Sequence, residues 1–296
     1  MNTFDIFVDS AANLPDETVA TTGIKVVPFI STVDGKEIIC YNNGKTFSET
    51  AKEFYESIAA GADVKTSLIS EARFVEALTP SLEQGKDVIL ITITESLSGT
   101  FVQARNAGNT LKEKFPDRKI FVIDSANASL GEGLLAIYAS RMRDDGKDAE
   151  TCAKWVEDNK YKLNSHVTIN EMKYLKKSGR VSTIIAIAGA ILNIKPMLWA
   201  DPSSPANLAV YAKERGRKKS IDALVKAFTD NVIDPANQTI AIAHCNCADE
   251  AEGLAERLRA LGAEDILIEF YDLCTGSHVG PGTIALFFMG KDRRGR

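Results

Sequence analysis

The chain lacks the marks of several large functional classes. Its five cysteines, Cys40, Cys152, Cys245, Cys247 and Cys274, are odd in number and widely scattered. That excludes a disulfide framework and favours free thiols in a reducing cytosol. The first ten residues hold neither a basic stretch nor a long apolar core, so no signal peptide is expected and a first strand is. The most apolar run, Ile184–Leu192, is bracketed by Arg180 and Lys195. It is roughly half of the ~20 residues that a membrane span needs. A formal net charge of −5 argues against a general nucleic-acid binder. No Walker-type loop and no kinase glycine loop is present, which leaves the chain without a recognisable ATP site. No cofactor is expected.

What the 296 residues do contain is an alternation of apolar strands, polar turns and amphipathic helices. The pattern predicts strands at Phe4–Val8, Ile24–Ile30, Val88–Ile93 and Lys119–Ile123. Helices are predicted after Leu14-Pro15-Asp16-Glu17, from Ser48 to about Ala60, and from Glu71, Phe101 and Gly131 onward. Asp34-Gly35 marks a hairpin turn. Such an order implies a mainly parallel sheet flanked by helices, here assigned to residues 1–160. From residue 161 the pattern changes to a second α/β domain with a mixed sheet, reaching 296. It includes a hairpin of Lys195–Ala200 with Leu208–Lys213, a small-residue helix near 184–192 and a glycine-rich turn at Thr275–Gly282.

The strand–turn–helix around Thr94–Thr100 is the strongest candidate site. A helix start leaves backbone N–H groups unpaired, and with the Ser98 hydroxyl these suit an anionic oxygen. Ser98 as a simple helix cap explains the same residue. Asp9-Ser10, Thr66-Ser67, Ser96-Leu97-Ser98 and Asp124-Ser125 are hydroxyl-bearing turns expected along one sheet edge, the usual ligand position. Each is equally compatible with local capping. His278, one of three histidines, lies in the glycine-rich turn, and Arg180 follows a glycine. A serine hydrolase using Ser98 and His278 lacks the G-x-S-x-G elbow, since Ser96 stands where its first glycine belongs. His244-Cys245-Asn246-Cys247 has no second ligand cluster to complete a zinc site and fits a strand end. The basic run Lys213, Arg215, Arg217, Lys218 and Lys219 fits either a solvated element end or a partner patch.

Taken together, seven segments resemble the DegV family of bacterial fatty-acid-binding proteins. They are Val8-Asp9-Ser10-Ala11-Ala12-Asn13-Leu14-Pro15, Lys65-Thr66-Ser67, Leu97-Ser98-Gly99-Thr100 and Val122-Ile123-Asp124-Ser125, followed by Tyr174 to Ser182, Asn193 to Leu198, and Gly276 to Gly282. The resemblance implies a two-domain DegV-like α/β fold holding one long-chain fatty acid between its domains. It implies that Thr66, Leu97 and Ser98 hold the carboxyl group, with His278 and Arg180 near that end. It further implies a cytoplasmic, non-enzymatic subunit that presents the fatty acid to a separate ATP-dependent fatty acid kinase. The resulting acyl-phosphate would serve phospholipid synthesis. The chain departs from the family pattern at Leu68-Ile69, where Gln-Pro is common, at Glu95-Ser96, where Ser-Gly is, and at Val279, where threonine is.

Overall fold

The structure, a computed structural model, describes residues 3–41, 43–179, 193–204 and 208–295. Arg180 and the apolar helix expected near 184–192 lie outside the described residues. The chain divides into two compact units, Met1–Thr50 with Asp63–Lys160 and Ala51–Ala62 with Tyr161–Arg296.

In chain order the first unit carries β1 (Phe4–Asp9), β2 (Lys25–Val27), β3 (Ser31–Val33), β4 (Lys36–Ile38), β5 (Val64–Thr66), β6 (Asp87–Thr92) and β7 (Ile120–Asp124). A parallel sheet is ordered β2-β1-β6-β7. Every residue of β1 is buried, as is all of β6 after Asp87. That is why Val88–Ile91 of β6 is an unbroken apolar run and why β1 is apolar apart from Asp5 and Asp9, both held by hydrogen bonds. Helices Glu71–Glu83, Thr100–Lys114, Leu130–Asp144 and Ala149–Asn159 accompany this sheet.

The expected strand over Ile24–Ile30 is cut short at Val27, and the next strand, β3, starts only at Ser31 in another sheet. Pro28 has no N–H to give a ladder, and the Phe29 N–H is taken by Ser10 Oγ at 3.0 Å. The chain therefore leaves the parallel sheet and enters a small antiparallel one, β4-β3-β5. Asp34 and Gly35 make its hairpin turn, with φ of 48° and 82°, the two positive values that a two-residue turn of this kind requires. Helix Phe47–Ala59 is started not by Ser48 but by Thr46. Thr46 Oγ1 accepts from the Glu49 N–H at 3.2 Å and the Glu49 carboxylate accepts from the Thr46 N–H at 2.9 Å, a capping box.

The second unit contains β8 (Leu163–Thr168), β9 (Ile194–Trp199), β10 (Ala209–Arg215), β11 (Thr239–His244), β12 (Asp265–Phe270) and β13 (Ile284–Met289). They form a mixed sheet in the order β10-β9-β8-β13-β11-β12, in which only β11 and β12 run parallel. Leu224 and Phe228 of helix Arg217–Asn231 and Leu254 and Leu258 of helix Ala248–Arg259 pack with Ile242 and Phe288 of the sheet into one core. The β9–β10 pair has a register shift between Val210 and Ala212, leaving Tyr211 as the extra residue of a bulge. Residues 51–62 count with this unit because Tyr55 donates to Tyr271 O at 3.0 Å and stacks on Phe270 with centroids 6.2 Å apart.

One buried charge ties the start of β1 to its surroundings. Asp5 accepts from Lys25 Nζ at 2.7 Å, Ser81 Oγ at 2.8 Å and Lys86 Nζ at 3.1 Å. Burial opposes its charge, yet the hydrogen bonds from Lys25, Ser81 and Lys86 outweigh it and hold the carboxyl below its ordinary 3.8. Asp5→Asn should therefore lower stability at neutral pH by about 1–3 kcal/mol in urea denaturation. Because the folded value is depressed, this contribution is complete above the unfolded value and is lost as pH falls through the folded one. The gap between wild type and variant should close in acid; a gap independent of pH would contradict the assignment.

Candidate functional site

The carboxyl ends of β1, β6 and β7 sit side by side in the parallel sheet of the first unit, each followed by a polar turn. Two of these turns prove to be scaffold. Asp9 is fully buried; its Oδ1 accepts from the Ala11 N–H and its Oδ2 from the Ile93 N–H, both at 2.8 Å. Asp124 Oδ1 accepts from the Ala126 N–H at 2.7 Å and its Oδ2 from the Glu95 N–H at 3.2 Å. Ser125 Oγ donates to Asn127 O and accepts from the Asn127 N–H. Asn127 O in turn accepts from the Thr94 N–H at 2.9 Å. These carboxylates and hydroxyls are occupied in bracing the turn after β6. Among the four hydroxyl turns of the sequence, Asp9-Ser10 and Asp124-Ser125 thus hold the edge together.

The segments that follow the other two meet each other. Thr66 ends β5, so it belongs to the small antiparallel sheet rather than to the parallel one. The chain then runs beside the start of helix Thr100–Lys114. The Ile69 N–H points to Thr100 Oγ1 at 3.4 Å, and Leu68 reaches within 3.3 Å of where a Cβ on Gly99 would sit. Thr100 Oγ1 lies 2.8 Å from Ser98 Oγ, which also accepts from the Thr100 N–H at 3.2 Å. The N-cap of the helix is Gly99, and Ser98, one residue earlier, bonds back to the first helical amide. Its proton has a choice between Thr100 and any acceptor outside. The Leu97 and Ser98 N–H groups turn inward to Thr94 O at 3.1 and 3.2 Å. Leu97's amide is therefore already engaged. Thr66, Leu97 and Ser98 are half-buried, Gly99 is exposed, and Glu95 extends into solvent.

Thr94 and Thr100, which the sequence did not single out, are the residues that set this turn. The signal for Thr100 was present in the Ser-Gly-Thr order. A hydroxyl one residue past a glycine at a helix start tends to bond back into the turn.

In the second unit the glycine-rich segment is largely helical, Leu273–Val279, and not the turn expected over Thr275–Gly282. Asp272 caps it, accepting from the Cys274 N–H at 3.1 Å, the Thr275 N–H at 2.9 Å and the Thr275 hydroxyl. Burial pushes the Asp272 carboxyl up to about 6 despite these donors. Three glycines make room for side chains of the same unit. A Cβ on Gly276 would overlap the Tyr55 hydroxyl, one on Gly280 the Tyr174 ring, and one on Gly282 would lie 2.6 Å from Asn170 Nδ2. Gly280 also has a φ of 81° and ends the helix. His278 falls in the last turn, half-buried.

The His244-Cys245-Asn246-Cys247 cluster is the end of β11, and burial pushes the His244 imidazole down to about 4 and the Cys247 thiol up to about 11. No group of three or more potential metal ligands occurs among the described residues. Nor is any helix among them long and apolar enough to cross a membrane.

A family model matches residues 3–291, and its description is the DegV family. A DegV domain-containing protein of Clostridium perfringens is 38% identical over 291 residues, covering 98% of each chain. The chain belongs to the DegV family. Among solved structures, a DegV lipid-binding protein from Thermotoga maritima is 25% identical and superposes with a TM-score of 0.83 over 99% of this chain and all of that one. A fatty-acid-binding DegV family protein from Streptococcus agalactiae is 26% identical, with a TM-score of 0.80 over 98% of this chain and all of the other. The α/β fold with one parallel and one mixed sheet is therefore the DegV fold.

The contact between Gly276 and Tyr55 gives a direct test of the glycine segment. Gly276→Ala should destabilise the protein by about 1–3 kcal/mol through overpacking, measured by the denaturation midpoint. Combining it with Tyr55→Phe should cost less than the two single changes added together. Strict additivity would show that the two residues do not meet.

Proposed function

We propose that this DegV protein binds a single long-chain fatty acid, with the carboxylate held by the Thr66 and Ser98 hydroxyls. The observation that carries the reading is the pairing of the Thr66–Ile69 turn with the Ser98–Thr100 helix start. The half-exposed Ser98 hydroxyl stands at the positive end of a fifteen-residue helix. A carboxylate suits that position because it accepts hydrogen bonds only. The lipid-binding and fatty-acid-binding descriptions of the Thermotoga maritima and Streptococcus agalactiae relatives support the ligand class.

Affinity would come from the tail. Burying about fourteen methylenes at ~0.8 kcal/mol each amounts to roughly 11 kcal/mol before the costs of association. A hydrogen bond adds only about 1 kcal/mol net. The hydroxyls would then decide which end of the ligand faces out rather than how tightly it binds.

We further propose that the bound carboxylate is presented to a separate ATP-dependent kinase. The family resemblance supports this, as does the environment of Ser98. Among the described residues its hydroxyl bonds only to the Thr100 amide and hydroxyl, and to no carboxylate base of its own unit. A nucleophile needs such a base, which disfavours a self-sufficient hydrolase or phosphotransferase built on Ser98 and His278.

Denaturing extraction and mass spectrometry of the purified protein should release a long-chain fatty acid; a lipid-free protein with no affinity for one would refute the reading. With a fatty acid kinase catalytic subunit and ATP, Thr66→Ala and Ser98→Ala should cut acyl-phosphate formation about ten-fold or more, the scale of losing an oriented hydrogen bond. Their denaturation midpoints should move little. His278→Ala and Arg180→Ala test the two residues that the family pattern adds. Ester hydrolysis by the protein alone, abolished by Ser98→Ala, would favour the enzyme instead.

A further inference from the structure

The second unit holds a cavity of about 400 Å³ between the β9–β10 edge of its sheet and helix Arg217–Asn231. That volume falls within the range of small-molecule sites. Three aromatic rings shape it. His166 of β8 stacks on Phe288 with centroids 5.8 Å apart, and Tyr211 meets His166 edge-on at 5.4 Å and 85°. Trp199, directly opposite His166 in the β8–β9 register, lines the same space. Tyr211 is there because of the bulge. In an unbroken ladder it would pair with Met197, but Ala212 takes that partner. Bulges commonly re-aim one side chain in this way beside a binding site. Ala223 and Ala227 on the helix keep the opposite wall small.

The charges are unbalanced. Lys226 and Asp230 neutralise each other through an ion pair at 2.7 Å. Glu214, on the same lining, has neither an ion pair nor a hydrogen bond among the described residues. An unpaired carboxylate beside aromatic rings is the surrounding that favours an organic cation, since ring quadrupoles and negative charge both attract it while the rings cover its carbon skeleton.

We propose that this cavity binds a compact organic cation, a small molecule bearing an amine or quaternary ammonium group, held between the Trp199 and Tyr211 rings and the Glu214 carboxylate. It involves neither Thr66 nor Ser98, and it stands whether or not the fatty-acid reading does.

Trp199 is one of only two tryptophans, the other being Trp155. In full-length Trp155→Phe protein, Trp199 emission therefore reports on the cavity alone. Phenethylammonium should quench it saturably, and neutral 2-phenylethanol should bind roughly ten-fold more weakly or worse, as expected for loss of cation–π and charge contacts. Glu214→Gln should weaken phenethylammonium binding by a similar factor, with the far-ultraviolet circular dichroism unchanged. Ala223→Leu, which fills the cavity from the helix side, should abolish binding and serves if Glu214→Gln does not fold. Equal binding of the neutral alcohol, or an unchanged constant in Glu214→Gln, would overturn the proposal. So would quenching by a lysine-rich peptide but by no free amine, which would make the cavity a protein-docking site. Loss of co-purified fatty acid in Glu214→Gln would likewise overturn it, by making the cavity part of the lipid site.

Discussion

The turn after β6 is clamped from both sides by carboxylates. Asp9, from the end of β1, accepts the Ile93 N–H, and Asp124, from the end of β7, accepts the Glu95 N–H. A turn at the end of a buried parallel strand must satisfy its backbone donors without water. Acidic side chains on the flanking strands do this through hydrogen bonds of the stronger, charge-assisted kind. With Ile93 and Glu95 held, Thr94 can receive the Leu97 and Ser98 amides on its carbonyl, and Ser98 is delivered to the start of helix Thr100–Lys114. The position of the Ser98 hydroxyl is thus a consequence of two carboxylates, the buried Asp9 and the half-buried Asp124, that never touch it.

The second unit solves a different problem by a different means. Its glycine-rich segment is tightly packed, with Tyr55, Tyr174 and Asn170 filling the places where side chains would otherwise stand. A helix of seven residues has little stability of its own. The Asp272 cap at one end and the aromatic ring packed at Gly276 hold this one. Burying the cap has an energetic cost, seen in the raised Asp272 carboxyl, and the three donors around it limit that cost.

Much of the fold was legible in the residues. The largely apolar β1, the apolar run of β6, the helix-spaced residues from Phe101, and the Asp34-Gly35 turn each announce their structure locally, and all are observed. The errors share a cause. Ile24–Ile30 looks like one strand because composition does not show that Pro28 and the Ser10 hydroxyl divert it. Ser48 looks like a cap because the competing Thr46–Glu49 reciprocal pair depends on which residue enters the helix first. The Thr275–Gly282 stretch looks like a turn throughout because glycine signals freedom, which Gly280 and Gly282 use, whereas Gly276 serves close approach inside a helix.

The candidate site divides along the same line. Sequence alone determined the identity of the hydroxyl turns, the family to which they belong, and the alternation that puts turns at strand ends, because these follow from local pattern and order. It could not tell a ligand-facing hydroxyl from a structural one, since Ser10, Ser98 and Ser125 are the same chemical group. Only the tertiary structure shows that Ser10 and Ser125 are buried and bonded to backbone, while Ser98 is half-exposed and bonded to Thr100. The physical reason is that a hydroxyl's role is set by which donors and acceptors lie within hydrogen-bond reach. For Ser10 that partner is the Phe29 N–H, nineteen residues along the chain, whereas among the described residues Ser98 meets only Thr100 beside it.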